Sequence, residues 1–159
     1  MKIIEPSIVE IGPKKLLGKH AITSFKEDTT SMLWQSFMPF LNQIQHKTNK
    51  DLYSLQIFPD DFFLSFNPTT TYAKWALVEV DNYDILPENM KPFLLAGGLY
   101  AVFNHKGMDT SIFQYIYSTW VPGSIYKLDD RPHFEVLGNK YKQGSPTSEE
   151  EIWIPIALK

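Results

Sequence analysis

The chain has no cysteine, so neither disulfides nor thiolate chemistry holds or runs it. That absence fits a reducing compartment, and a cytoplasmic location is expected. Long apolar runs are missing too. The opening stretch MKIIEPSIVEIGPKK offers no span long enough for a signal peptide or a transmembrane helix, so no membrane association is expected. Net charge is only −3 and no stripe of Lys and Arg occurs, which speaks against a nucleic-acid surface. There is no Gly-x-Ser-x-Gly, phosphate loop or Gly-x-Gly-x-x-Gly, so serine-hydrolase and nucleotide-binding readings are disfavoured and no cofactor is expected. His20, His46, His105 and His133 are scattered, with none at i, i+4 beside an acidic ligand, and no metal site is expected.

What is plentiful is aromatic surface. Phe, Trp and Tyr make up 14% of the 159 residues, within ordinary shares of hydrophobic (43%) and charged (21%) residues. The length suits one domain over residues 1–159, with enough chain to bury a core. Turn signals at Gly12–Pro13, at Asn67-Pro68-Thr69 and at Gly144-Ser145-Pro146 punctuate short alternating runs. These runs predict strands over Ser7–Ile11, Leu16–Phe25, Leu52–Phe58, Lys74–Val80, Gly98–Asn104, Pro132–Leu137 and Glu151–Ala157. Helical spacing instead joins Leu33, Trp34, Phe37, Leu41 and Ile44, after capping candidates Thr29 to Ser31. Ile112, Phe113, Ile116, Trp120 and Val121 follow Asp109 in the same way. Pro39 predicts a break in the first pattern and Pro122 the end of the second.

The halves match. His20-Ala21-Ile22 stands against Tyr100-Ala101-Val102, and Thr30-Ser31-Met32 against Thr110-Ser111-Ile112, both 80 residues apart. The order strand, helix, strand, strand occurs twice, so a duplicated unit is expected, with halves near residues 6–82 and 93–159. Two such units predict an α+β fold with pseudo-twofold symmetry: an antiparallel sheet, helices on one face and a ligand cleft on the other.

Alternation says what lines that cleft. In KWALVEV, Ala76, Val78 and Val80 suit packing under a helix, which turns Trp75, Leu77 and Glu79 the other way. The ending SEEEIWIPIALK repeats this: Ile152, Ile154 and Ile156 face the core, while Glu151 and Trp153 share the opposite side. An indole and a carboxylate on one face, in each half, suit a flat cation, with a desolvated cation–π contact contributing roughly 2 kcal/mol.

The segments WQSFMP at 34–39, KWALVEV at 74–80, GLYAVFNHKG at 98–107, RPHFEVLG at 131–138 and EEIWIPI at 150–156 together resemble the gyrase-inhibitor-like (GyrI-like) effector-binding domains of bacteria. The resemblance covers nearly the whole chain, and the Glu-x-aromatic-x-Pro ending is its most specific mark. It implies a duplicated strand–helix–strand–strand fold whose central cleft senses drugs for transcription regulators, with Glu151 as charge partner of cationic ligands and Trp153 as the aromatic that follows. The regulators of that family carry a helix-turn-helix, which this stretch of sequence lacks, so direct nucleic-acid binding is not expected. Other members imply hydrolysis of reactive cyclopropane-bearing molecules, or inhibition of a protein partner such as gyrase.

The expected ligand-binding residues are Glu151, Trp153, Trp75, Glu79 and Tyr100, with Trp34 and Trp120 as candidates for the cleft edge. Each has a plainer alternative. Glu149 to Glu151 also suit a solvated turn, Glu79 an exposed strand face, and Trp34, Phe37, Phe113 and Trp120 simple packing on the sheet. If the protein is an enzyme, Glu79, Glu151 and Tyr100 are the expected catalytic groups, because neighbouring carboxylates repel and one then holds a proton at neutral pH. The leading expectation is a binder of flat, apolar, cationic small molecules.

Overall fold

The computed structural model describes residues 4–159. Strands β1 (Ser7–Ile11) and β2 (Lys14–Thr23) lead into helix α1 (Thr30–Phe37), which tightens into a 3₁₀ segment over Met38–Gln43 with Pro39 in its first turn. Strands β3 (Lys47–Ile57), β4 (Tyr72–Val80) and β5 (Lys91–Leu95) follow. The second half begins with β6 (Gly98–Lys106) and α2 (Ser111–Tyr115), continues in a π-helical segment over Ile116–Trp120, and ends its helical run at Val121–Gly123. Strands β7 (Tyr126–Leu128), β8 (His133–Leu137) and β9 (Glu149–Leu158) complete the chain.

The strands form one antiparallel order, β1-β6-β9-β8-β3-β4-β2-β5, with β7 pairing β9 outside that path. The order reads symmetrically about the β8–β3 seam: β6-β9-β8 on one side corresponds to β2-β4-β3 on the other. This is the duplicated strand–helix–strand–strand unit, and the helices of both units cover the same face. Both helices also start alike. Asp28 Oδ1 accepts the Thr30 N–H and Asp109 Oδ1 accepts the Ser111 N–H, each at 2.9 Å. The side-chain bond at the first helix thus comes from Asp28 and not from Thr29, whose hydroxyl is buried without a partner.

Helix-face packing follows the alternation. Ala76, Val78 and Val80 meet Leu33, Phe37 and Ile44 in one half; Ile152, Ile154 and Ile156 meet Ile112, Ile116 and Val121 in the other. Gly18 permits the closeness of β2 to β4, since a Cβ there would stand 1.9 Å from the Ala76 carbonyl oxygen. Two strands are additional to those expected. β5 is a short edge strand carrying Pro92, and β7 is only three residues long, so neither leaves much periodic signal.

Candidate functional site

The sheet face opposite the helices carries the residues expected to line a groove at the seam. A single cross-sheet row runs Ser7, Val102, Trp153, Phe134, Leu55, Trp75, His20. The β8–β3 seam crosses it between Phe134 and Leu55, so Trp153 and Trp75 occupy equivalent places in the two units. Floor residues Leu55, Leu77, Tyr100 and Phe134 are fully buried, while the two indoles are partly exposed above them. Trp153 lies flat on Phe134, with centroids 5.2 Å apart and planes at 15°. Trp75 stacks on His20 at 4.4 Å and packs against Phe93 at 5.0 Å.

The groove has two unlike ends. Glu151 stands in the next row with Val136, Tyr53 and Leu77. Glu79 stands one side-chain step further along the same end, opposite Leu16. Because β4 and β9 run in opposite directions, a Glu four residues after Trp75 and one two residues before Trp153 both lie on the same side of the tryptophan row. Neither carboxylate is free of partners. The Trp153 indole N–H donates to Glu151 Oε1 at 3.2 Å. Glu79 accepts from the Tyr53 hydroxyl at 3.3 Å and from Lys14 Nζ at 3.4 Å. Tyr53 therefore sits between the two, and burial followed by the Glu79 charge pushes its phenol well above the usual tyrosine range.

At the opposite end is Tyr100, whose hydroxyl donates to the Pro132 carbonyl at 2.9 Å and whose ring lies 4.7 Å beneath the Arg131 guanidinium. Burial pushes its phenol up to about 12, against the pull of Arg131. Arg131 donates to Asp129 at 2.6 Å and to the Leu99 carbonyl at 2.6 Å. It occupies the space where a Cβ at Gly98 would stand, and Gly98 has φ +150°, a conformation suited to glycine. One end of the groove is thus acidic, and the other carries an ion pair above an aromatic ring.

The structure places Glu151, Trp153, Trp75, Glu79 and Tyr100 on the sheet face opposite the helices, with Tyr100 fully buried. Trp34 and Trp120 are elsewhere. Trp34 packs with Phe37 against the α1 core, and Trp120 meets Phe103 edge-on and stacks on Tyr126, both on the helix side of the sheet. The expectation that they reach the cleft edge is corrected by the alternation itself, since β4 and β9 turn their groove side chains away from the helices. Tyr53 and His20 are groove residues the sequence reading did not single out. A Tyr in the middle of a predicted strand gives no hint of a partner 26 residues away. Among the described residues, no three His, Asp or Glu side chains are grouped as a metal site would require.

Comparison with known proteins agrees with this architecture. The family model for the GyrI-like small molecule binding domain matches residues 4–157. The transcriptional regulator BrlR of Pseudomonas aeruginosa is 27% identical over 154 residues, 94% of this chain and 54% of BrlR, so the chain spans about half the length of that curated relative. The structure of SAV2435 bound to tetraphenylphosphonium has the same fold, with a TM-score of 0.69 at 19% identity over 97% of this chain and 94% of that one. The EcmrR C-terminal domain does as well, with a TM-score of 0.68 at 17% identity over 99% and 100% of the two chains. On its sequence match and its fold alike, the chain belongs to the GyrI-like small-molecule binding domain family.

Proposed function

We propose that the groove binds flat or propeller-shaped aromatic cations, with Trp153 and Trp75 as walls and Glu151 as the charge partner. The observation that carries this reading is the convergence of Glu151 and Glu79 at one end of a groove walled by two symmetry-equivalent indoles. A delocalised cation between such walls gains cation–π attraction and the field of two carboxylates in a partly desolvated setting. Its charge is better matched to Glu151 than to Glu79, because Glu79 already holds the Lys14 ammonium. The floor is closed beneath the indoles, so a bulky ligand must lift Trp153 from Phe134, and indole fluorescence reports that movement.

The test is fluorescence titration with tetraphenylphosphonium, the ligand named for SAV2435, beside neutral triphenylphosphine oxide. Glu151→Gln is expected to weaken the cation about tenfold, about 1.4 kcal/mol, and to leave the neutral compound nearly unchanged. Equal losses for both compounds would remove the charge role. Each compound is then recovered and weighed by mass spectrometry. A compound returned intact fits binding, whereas an altered one would assign hydrolysis to the same groove.

A further inference from the structure

The outer strands of the two units are covered unequally. In the second unit β1 pairs with β6 over Gly98–Val102. The chain just before β1 adds Ile4, which packs against the core around Ile112 and Ile116 and whose carbonyl accepts from the Tyr115 hydroxyl at 3.4 Å. In the first unit β5 pairs with β2 over Lys14–Gly18 only, although β2 runs on beside β4 to Thr23. β5 does not extend further because the chain enters it through a turn, with Met90 N–H donating to the Pro87 carbonyl and Asn89 at φ +65°. Among the described residues no strand lies along the outer edge of Lys19–Ile22, and no turn or loop bond engages their backbone. Alternate residues of an antiparallel strand turn their N–H and C=O groups to each side, so this edge presents unpaired groups.

A cavity of about 500 Å³ opens along that edge, between β2 and α1, just before Lys91 begins β5. Its charged lining has one sign: Lys19 and Lys91, joined by His20, with no Asp or Glu, on a chain whose net charge is −3. Lys19 Nζ donates to the Ser36 carbonyl at 2.9 Å and lies 4.8 Å over the Phe40 ring. Neither ammonium forms a salt bridge among the described residues. The apolar part of the lining includes Ile22 and Met32, which are 62% and 69% exposed. Thr29, whose hydroxyl is buried without a partner, belongs to the same lining.

From this open edge and its one-signed lining we propose that β2 takes an extended, acidic and apolar peptide segment of a partner protein, added as a strand in line with β5 and antiparallel to β2. Its main chain hydrogen-bonds to Lys19–Ile22, its carboxylates meet Lys19 and Lys91, and its apolar side chains cover Met32 and Ile22. The second unit already shows this kind of filling, since β1, Ser-Ile-Val-Glu-Ile, is an apolar strand with one acid laid along the outer edge of β6. A second copy pairing edge to edge would bring further ammonium groups to the same place, so the charge favours an acidic partner over self-association. The site lies at the outer edge of the first unit, away from the seam, and does not depend on the reading given to the groove.

The experiment titrates the full chain with the peptide acetyl-Val-Glu-Ile-Glu-Val-amide, followed by calorimetry and by backbone amide signals in NMR. Saturable binding is expected, with shifts centred on Lys19–Ile22. Replacing both Glu of the peptide by Lys should weaken it about tenfold or more. Methylating one alternate set of its backbone nitrogens should abolish binding, while methylating the other set is tolerated, because only one edge of the added strand pairs with β2. Lys19→Glu combined with Lys91→Glu should reverse the preference towards the lysine peptide. Absence of saturable binding, shifts that spare Lys19–Ile22, or equal binding of the acidic and basic peptides would overturn the proposal. So would a dimer, seen by sedimentation, that occupies the same edge and excludes the peptide. Should the double variant fail to fold, the comparison of peptides on the natural chain decides alone.

Discussion

The two faces of the central strand pair could hardly differ more, although they are built from alternate residues of the same strands. Tyr53, Leu55, Phe134 and Val136 face the groove and pack as an aromatic and aliphatic floor. Ser54, Gln56, His133 and Glu135 face the helices, and all but Glu135 are buried polar groups by exposure. One face is stabilised by area removed from water; the other depends on hydrogen bonds and on which protonation state burial allows. The lesson is that a strand period of two lets one seam support two chemically opposite surfaces, so perturbations on its two sides should have different signatures.

The largest effect is expected on the polar face. His133 is buried among Phe58, Phe63 and Tyr117, and its Nδ1 is hydrogen-bonded to the Tyr117 hydroxyl at 2.8 Å. Burial first, and the Arg131 charge second, lower its pKa from 6.5 to about 3. Between those values the unfolded chain binds a proton that the folded protein refuses. Stability therefore falls as pH drops from 6.5 towards 3, by up to about 4–5 kcal/mol from this group. Denaturant melts across that window should show the slope, and His133→Asn should lose it. An unchanged slope would deny His133 its part in the contrast.

Next in size is Phe134, its neighbour in sequence on the opposite face. Its ring touches Tyr53, Tyr100 and Trp153 at centroid distances of 5.8, 5.2 and 5.2 Å. Phe134→Ala should cost about 3–5 kcal/mol in a denaturant melt, with little dependence on pH. A strong pH dependence would erase the distinction between the faces. Smallest is Tyr53→Phe, which removes the bond to Glu79 while Lys14 remains its partner. A loss of about 0.5–1.5 kcal/mol is expected, and a loss as large as that of Phe134→Ala would show the groove to be held by polar contacts after all.

The faces of β4 and β9 were legible because their alternation is local: Trp75 with Glu79 and Trp153 with Glu151 can be read within a few residues. Register was not. The stacking of His20 on Trp75 and the placing of both carboxylates at one end arise from pairings across distant strands. Lys74 lay in a segment read for its indole, and the cavity it lines became visible only when β3, β8 and β9 supplied the remaining wall. The second helix illustrates a subtler limit. Its apolar spacing is correct from Ile112 to Val121, yet the backbone widens to a π-helix over Ile116–Trp120, a change of hydrogen-bond partner that side-chain periodicity does not register.

β1 precedes every element of the first unit, yet it pairs with β6, on the far edge of the second. Its partner begins at Gly98, so this early strand has no neighbour until most of the other strands have been synthesised. The outer edge of the second unit is therefore completed by chain that emerged first, and the last closure of the sheet is among its longest-range contacts. A cut in the link between β5 and β6 would leave two fragments that each lack an edge the other supplies, which makes this fold suited to reassembly from its halves.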